Sequence, residues 1–313
     1  MQLILSFAAL VVTSSTLVTQ RDWEAAASTA TSAPRVWIDV GTSYRSLTTW
    51  DVENNESLVV FGIDALQSNL NDRRQSKSPR FVPVQGACTT AHERNLTFWV
   101  HASPTCGSLL QTPPNVPVLG SGSDACTGDR PRAVTVTTFR MSALLRRVFH
   151  LTGQKSIELL KIDVQGSELD CLQSAGRALS MVDNVLLEVQ DVSNHSRLLL
   201  YKGSPRISDL DESLGGVGFD RQYCEWNRWS KPIRELNCLY SNRRAGSKWL
   251  WATGNSQRSR SMVSYATRVP DFLDWVRQLN TSNFSGTRCC SRRLATQAQD
   301  VRLRGRGRRL DAY

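Results

Sequence analysis

The sequence predicts an α/β protein: a mostly parallel sheet, covered by helices on both faces and closed by an antiparallel strand pair. Three observations carry this. Short apolar runs recur that end in an acid, the signature of buried parallel strands. Segments with leucines at helical spacing lie between them. After residue 217 two strand-like runs follow one another with no helical pattern between them, the mark of an antiparallel pair.

The elements follow in chain order. VWIDV (36–40) and SLVVFGID (57–64) are apolar runs that end with Asp39 just before Gly41 and with Asp64. FVPVQGAC (81–88) and NLTFWVH (95–101) read as strands separated by the polar turn TTAHER. Residues 103–132 are rich in Pro, Gly and Ser and read as a surface excursion. AVTVTTF (133–139) is a further strand, and Leu144, Leu145, Val148 and Leu151 set a helix after it. ELLKIDV then forms a strand and SELDCLQSAGRAL a helix, with Leu169, Leu172 and Leu179 facing the core. VDNVLLEVQ (182–190) is a buried strand carrying Glu188, and GFDRQYC (218–224) with ELNCLYS (235–241) makes the closing pair.

Composition divides the chain further. It has 313 residues, 40% of them hydrophobic, enough for a sizeable core in a domain spanning residues 34–243. The net charge of +10 suggests nucleic acid until it is localised, because residues 285–313 hold eight arginines and two aspartates. That segment has too few large apolar residues to offset the entropy of ordering, and reads as a basic disordered tail. No specific nucleic-acid partner is expected for the folded part. Residues 244–284 form an extension in which VPDFLDWVRQLN (269–280) has the spacing of a short amphipathic helix.

Residues 1–33 contain LILSFAALVV followed by small residues, which reads as a signal peptide or signal anchor with a short linker. The segment is short of the roughly 20 apolar residues of a spanning helix, so any membrane anchoring through it is weak. Sequons stand at Asn55, Asn95, Asn194, Asn280 and Asn283. Eight cysteines lack CxxC spacing, and four scattered histidines give no metal pattern. Cys88 and Cys171 sit in apolar patterns and read as core thiols; Cys106 with Cys126, and Cys224 with Cys238, are candidate disulfides in an oxidising compartment. These features point to the secretory route.

The chemistry sits at strand ends. In a doubly wound sheet the loop after the first strand lets a ligand approach the backbone, and an acid after the second accepts ribose hydroxyls. Gly41 and Asp64 fit these positions, and a nucleoside-bearing cofactor is implied. GTSYRS lacks the G-x-G-x-x-G of a pyrophosphate site, which disfavours a nucleotide-dependent dehydrogenase.

VWIDVGTS, VVFGIDALQSNL, FVPVQGACTTAHERNLTFWV, VTVTTFRMSALL, LLKIDVQGSELDCLQSAG and NVLLEVQ together resemble, in order and spacing, the FkbM-type methyltransferase domain over about residues 35–242. The resemblance implies a Rossmann-like class I methyltransferase fold that uses S-adenosylmethionine, usually for O-methylation. It implies that Asp39, Gly41, Thr42 and Ser43 line the methionine end of the cofactor, that Asp64 holds the ribose, and that Ala87 and Cys88 lie near the adenine. Asp163 and Glu168 fall on the family's acidic motif. Asp163 is the expected base or substrate-orienting group, with Glu188 as second candidate.

The expected acceptor is a hydroxyl of a small molecule or glycan, the lumenal reading favouring the glycan. Where family members commonly carry a second glycine, this chain has Ser43, Tyr44 and Arg45, and Gln165 stands where glutamate is common. The competing expectation is therefore a catalytically inactive binding module whose first loop has closed the cofactor site. The sequence leaves the oligomeric state open.

Overall fold

A computed structural model describes residues 18–30, 34–43, 48–72, 77–91, 94–112, 131–190, 201–226 and 235–245. All belong to the first of two units into which the chain divides, residues 1–261 and 262–313. The expected helix at 269–280, the basic tail, the apolar stretch at 1–17, residues 44–47 and the sequons at Asn194, Asn280 and Asn283 lie outside the described residues.

Seven strands make the main sheet: β1 (Arg35–Val40), β2 (Leu58–Asp64), β3 (Phe81–Gln85), β7 (Leu159–Ile162), β8 (Asn184–Gln190), β9 (Phe219–Trp226) and β10 (Glu235–Asn242). Their order is β3-β2-β1-β7-β8-β10-β9. The first five are parallel to one another, and β10 pairs antiparallel with both β8 and β9. The order reverses between β1 and β7, the switch point beyond whose strand ends open α/β sheets hold their ligands in a crevice. β1, β2 and β7 are buried almost throughout, which accounts for their continuous apolar runs.

A second sheet holds β4 (Ala87–Cys88), β6 (Arg132–Phe139) and β5 (Asn95–Val100) in that order. The run FVPVQGAC, read as one strand, breaks at Gly86. A Cβ there would meet the Phe139 ring at 2.9 Å, and the Gly86 N–H turns to the Asp64 carbonyl at 2.8 Å. β4 then joins β6 instead of continuing along β2.

Helices α1 (Gln20–Ala27), α2 (Thr49–Asn54), α3 (Gln67–Leu70), α4 (Met141–Thr152), α5 (Glu168–Ala175) and α6 (Ile207–Gly216) complete the unit. Two depart from expectation. α1 falls where composition gave only a linker, yet it carries a Thr19–Asp22 capping box, stacks Trp23 on Phe61 of β2, and is preceded by Val18, buried in the core with its carbonyl held by Arg147. α6 was not foreseen, because its glycines and acids dilute the pattern that Leu210 and Leu214 mark, four residues apart on the buried side.

The cysteines require a correction. Cys88 and Cys171, expected as free core thiols, are joined in a disulfide that ties β4 to α5. Cys224 and Cys238 pair as expected, across β9 and β10. Cys106 is also disulfide-bonded, while Cys126 lies outside the described residues. Among the described residues no helix is long and apolar enough to cross a membrane.

Candidate active site

Three strand ends build the site. Asp39, next to last in β1, is level with Gly62 of β2 and Lys161 of β7. The chain then turns at Gly41 with φ +77° and at Ser43 with φ +52°. A Cβ on Gly41 would stand 1.7 Å from the Asp163 carbonyl oxygen, so this close crossing of the loops after β1 and β7 requires glycine. The N–H groups of Gly41 and Thr42 both donate to the Ile63 carbonyl at 2.9 Å, fixing the loop against β2.

The loop after β7 turns the same way, with Gln165 at φ +56° and Gly166 at φ +98°. Left-handed non-glycine residues at both edges of the switch-point crevice store strain where a ligand would bind. Glu168, the first residue of α5, accepts from the N–H groups of Val164 (3.1 Å) and Gly166 (3.0 Å) with one oxygen, Oε1. Its carboxylate therefore braces the turn.

At the centre lies Lys161, the third residue of β7. Its Nζ is 3.1 Å from Asp39 Oδ1 and 3.3 Å from Asp163 Oδ2, and its side chain is 3% exposed. Burial alone would favour the neutral amine, but the charges of Asp39, Asp163 and Glu188 outweigh it and hold the group above the ordinary lysine range. Asp39 is fully buried, with Oδ2 accepting from the hydroxyls of Thr42 (3.2 Å) and Thr48 (3.0 Å). The side chains of Asp39 and Thr42 thus hold each other and shape the loop.

Asp163 keeps 19% of its side chain exposed. Gln165 Nε2 donates to its Oδ1 at 2.9 Å, and the buried Tyr201 hydroxyl lies 2.8 Å from Gln165 Oε1. An amide can donate to the carboxylate and accept from the phenol at once; glutamate in this position could only accept. Ser108, from the segment after β5, donates to the Gln165 carbonyl at 2.7 Å. Glu188 on β8 is close enough to interact electrostatically with Asp163, Lys161 and Glu168.

Asp64 ends β2. Its Oδ2 accepts the Ser43 N–H at 2.9 Å, while Oδ1 accepts the Leu66 N–H at 2.8 Å and Asn69 Nδ2 at 3.1 Å. Beside it Ala65, Ala87 and Val136 form a small buried cluster with Leu66 and Phe98 packed against it. Cys88, expected here, is corrected: alternation along β4 turns its side chain into the main core and the disulfide, leaving Ala87 on the Asp64 side.

These residues fit S-adenosylmethionine: a glycine turn that brings backbone close, an acid at the second strand's end, and an apolar patch beside that acid. Sequence reasoning missed Leu66, Asn69 and Tyr201. The first two were marked only by their place just after Asp64 in IDALQSNL; Tyr201 carried no local signal.

Burial pushes the Asp64 carboxyl up to about 6 and the Glu168 carboxyl up to about 7, and raises Glu188 well above the usual range. Unfolding returns these acids to their ordinary values, so between about pH 4 and pH 7 the folded chain binds more protons than the unfolded one. Stability then falls as pH rises through that window, each group contributing at most about 1.4 kcal/mol per pH unit between its unfolded and folded values. The ligand-free protein should accordingly melt several degrees higher at pH 5.5 than at pH 8 in scanning calorimetry. A melting temperature that rises with pH across this range would contradict the assignment.

A comparison with curated protein sequences returned no match. Among solved structures, a variant of the 16S rRNA (adenine(1408)-N(1))-methyltransferase from Catenulisporales acidiphilia with its cosubstrate SAM is 13% identical, covering 72% of this chain and 91% of that one at a TM-score of 0.38. The Methanococcus jannaschii fibrillarin pre-rRNA processing protein is 8% identical, with 67% of each chain covered at a TM-score of 0.37. Magnesium protoporphyrin IX methyltransferase from Synechocystis PCC 6803 with bound SAM is 10% identical, with 71% and 79% covered at a TM-score of 0.31.

The family model described as the methyltransferase FkbM domain matches residues 39–214, more than half of the chain. The match begins at Asp39 and includes each strand end described above. With parallel strands in the order β3-β2-β1-β7-β8 and acids at their ends, the chain belongs to the FkbM methyltransferase domain family, and its cofactor is S-adenosylmethionine.

Proposed function

We propose that the protein is an O-methyltransferase acting on a hydroxyl of a glycan or a secondary metabolite in the secretory pathway. The observation that carries this reading is the convergence of the Gly41 turn, Asp64 and Asp163 at one switch-point crevice. Gly41 and Ser43 would hold the methionine end, Asp64 the ribose, and Ala65, Leu66 and Ala87 the adenine.

S-adenosylmethionine supplies an electrophilic methyl group on a sulfonium. The chain's own part is to align the acceptor oxygen and to take its proton. Asp163 suits that role: it is partly open to the cleft, and Lys161 and Gln165 fix its carboxylate from two sides. Glu168 suits it less, since Oε1 already accepts two backbone N–H groups and the residue is 2% exposed. Glu188 is the second candidate, its raised proton affinity being useful in a base near neutral pH.

The disulfides of Cys88 with Cys171 and of Cys224 with Cys238 support an oxidising compartment, and with it a glycan acceptor. The described sequons agree in part: Asn95 is exposed at the start of β5, whereas Asn55 accepts from the Ser57 hydroxyl at 2.9 Å. The competing reading, a non-catalytic binding module, draws on the Ser43 N–H that occupies part of Asp64.

Incubation with methyl-tritiated S-adenosylmethionine and a panel of neutral glycans and hydroxylated metabolites tests the proposal. The expected result is label in a methyl ether that resists mild alkali and is lost in Asp163→Asn. Label released by mild alkali would instead identify a carboxylate acceptor. Binding of the cofactor with no transfer to any member of the panel would favour the binding module.

A further inference from the structure

Asp64 is more occupied than a ribose-binding acid needs to be. A carboxylate offers about four acceptor positions, two on each oxygen. Oδ1 already takes the Leu66 N–H and the Asn69 amide, and Oδ2 takes the Ser43 N–H. One position remains on Oδ2, whereas a ribose presents two hydroxyls.

Asn69 supplies the second. It lies on α3, five residues after Asp64, is 5% exposed, and its own N–H is fixed to the Leu66 carbonyl at 3.0 Å. An ionised carboxylate only accepts, so the NH2 end of Asn69 must face Asp64 and the carbonyl end must face elsewhere. That carbonyl oxygen, Oδ1, accepts no hydrogen bond from any described residue. A nearly buried amide with one end pinned to the ribose acid and the other unpartnered is a ready acceptor beside it.

Resting on the cofactor reading above, we propose that Asn69 is a ribose-specificity residue, its Oδ1 accepting one ribose hydroxyl of the cofactor while Asp64 Oδ2 accepts the other. The two side chains act as one platform, joined by the 3.1 Å bond between them.

The test is calorimetric titration of the full chain with S-adenosylhomocysteine and with its 2′-deoxy and 3′-deoxy analogues, for wild type, Asn69→Ala and Asn69→Ser. Wild type should lose about tenfold in affinity for each missing hydroxyl. Asn69→Ala should bind S-adenosylhomocysteine about tenfold more weakly and should no longer distinguish one of the two deoxy analogues from it, while the penalty for the other persists. Asn69→Ser, which keeps an acceptor oxygen, should recover part of the lost discrimination.

Both penalties intact in a folded Asn69→Ala protein would overturn the proposal, whether or not overall affinity falls. Wild type that binds S-adenosylhomocysteine with no deoxy penalty would overturn it too, while leaving the methyltransferase reading standing. Folded wild type that binds none of the three ligands would remove both.

Discussion

Gly41→Ala is expected to abolish cofactor binding while leaving a folded but weakened protein. The added carbon would lie 1.7 Å from the Asp163 carbonyl oxygen, where non-bonded heavy atoms settle at about 3.5 Å. The obstacle is backbone, so no side chain can swing aside. The loops after β1 and β7 must separate, and Gly41 must also hold φ +77° with a side chain, a conformation costing about 1–3 kcal/mol. Separation carries Ser43 away from Asp64 and disturbs Asp163 in the same movement, and a misplacement of about 1 Å is enough to lower activity about 100-fold. Titration with S-adenosylhomocysteine reads the first effect and urea unfolding the second. Near-wild-type affinity in Gly41→Ala would mean that the crossing of the two loops is not part of the site.

Lys161→Met is expected to destabilise the fold by about 3–5 kcal/mol, because it strands charge instead of deleting a contact. Asp39 is fully buried and pairs with Lys161 at 3.1 Å; Asp163 shares the same ammonium at 3.3 Å. Methionine fills a similar volume, so packing is nearly conserved and the loss reports the uncompensated acids. Adding Asp39→Asn should recover part of that loss, since one of the stranded charges is then removed. Both variants can be compared in urea at pH 7. A cost below about 1 kcal/mol for Lys161→Met would show that water reaches Asp39 and that the pair is a surface one in energetic terms.

Lys161 also marks the limit of what the sequence made legible. The run LLKIDV announced a buried strand, and the acid at its end announced a cleft, both from local pattern. Lys161 and Asp163 lie two apart and so share a face, but only the register of β1 against β7 brings Asp39 to the same ammonium. Strand order and register are long-range facts that no window of residues contains. The same holds for Cys88 and Cys171, whose apolar surroundings look alike whether the sulfurs are free or joined across 83 residues. FVPVQGAC read as one strand because its apolar pattern is unbroken; the bend at Gly86 answers to the Phe139 ring, which arrives from elsewhere in the chain.

Where the candidate site depends on strand ends, the structure brings the residues expected from the sequence together. Asp39, Gly41, Asp64 and Asp163 all meet at the crevice, since acids closing apolar runs mark the C-terminal edge of a parallel sheet whatever the pairing. The sequence was less informative about how each group is used. Glu168 braces a turn, Asp39 and Thr42 hold each other, and Cys88 faces the core. These distinctions follow from hydrogen-bond partners and from which face a residue takes.

The central claim is that this crevice binds S-adenosylmethionine, and titration calorimetry of the folded chain with S-adenosylmethionine and S-adenosylhomocysteine, beside Asp64→Asn, tests it most directly. Asparagine keeps the shape and removes a buried charge, but its NH2 end must face either the Ser43 N–H or the Leu66 N–H and the Asn69 amide, so the fold of the variant is checked by urea unfolding beside the titration. Saturable binding of both ligands to wild type is expected, with binding at least about tenfold weaker to Asp64→Asn. Failure of the folded wild-type protein to bind either ligand, or equal binding by both proteins, would contradict it.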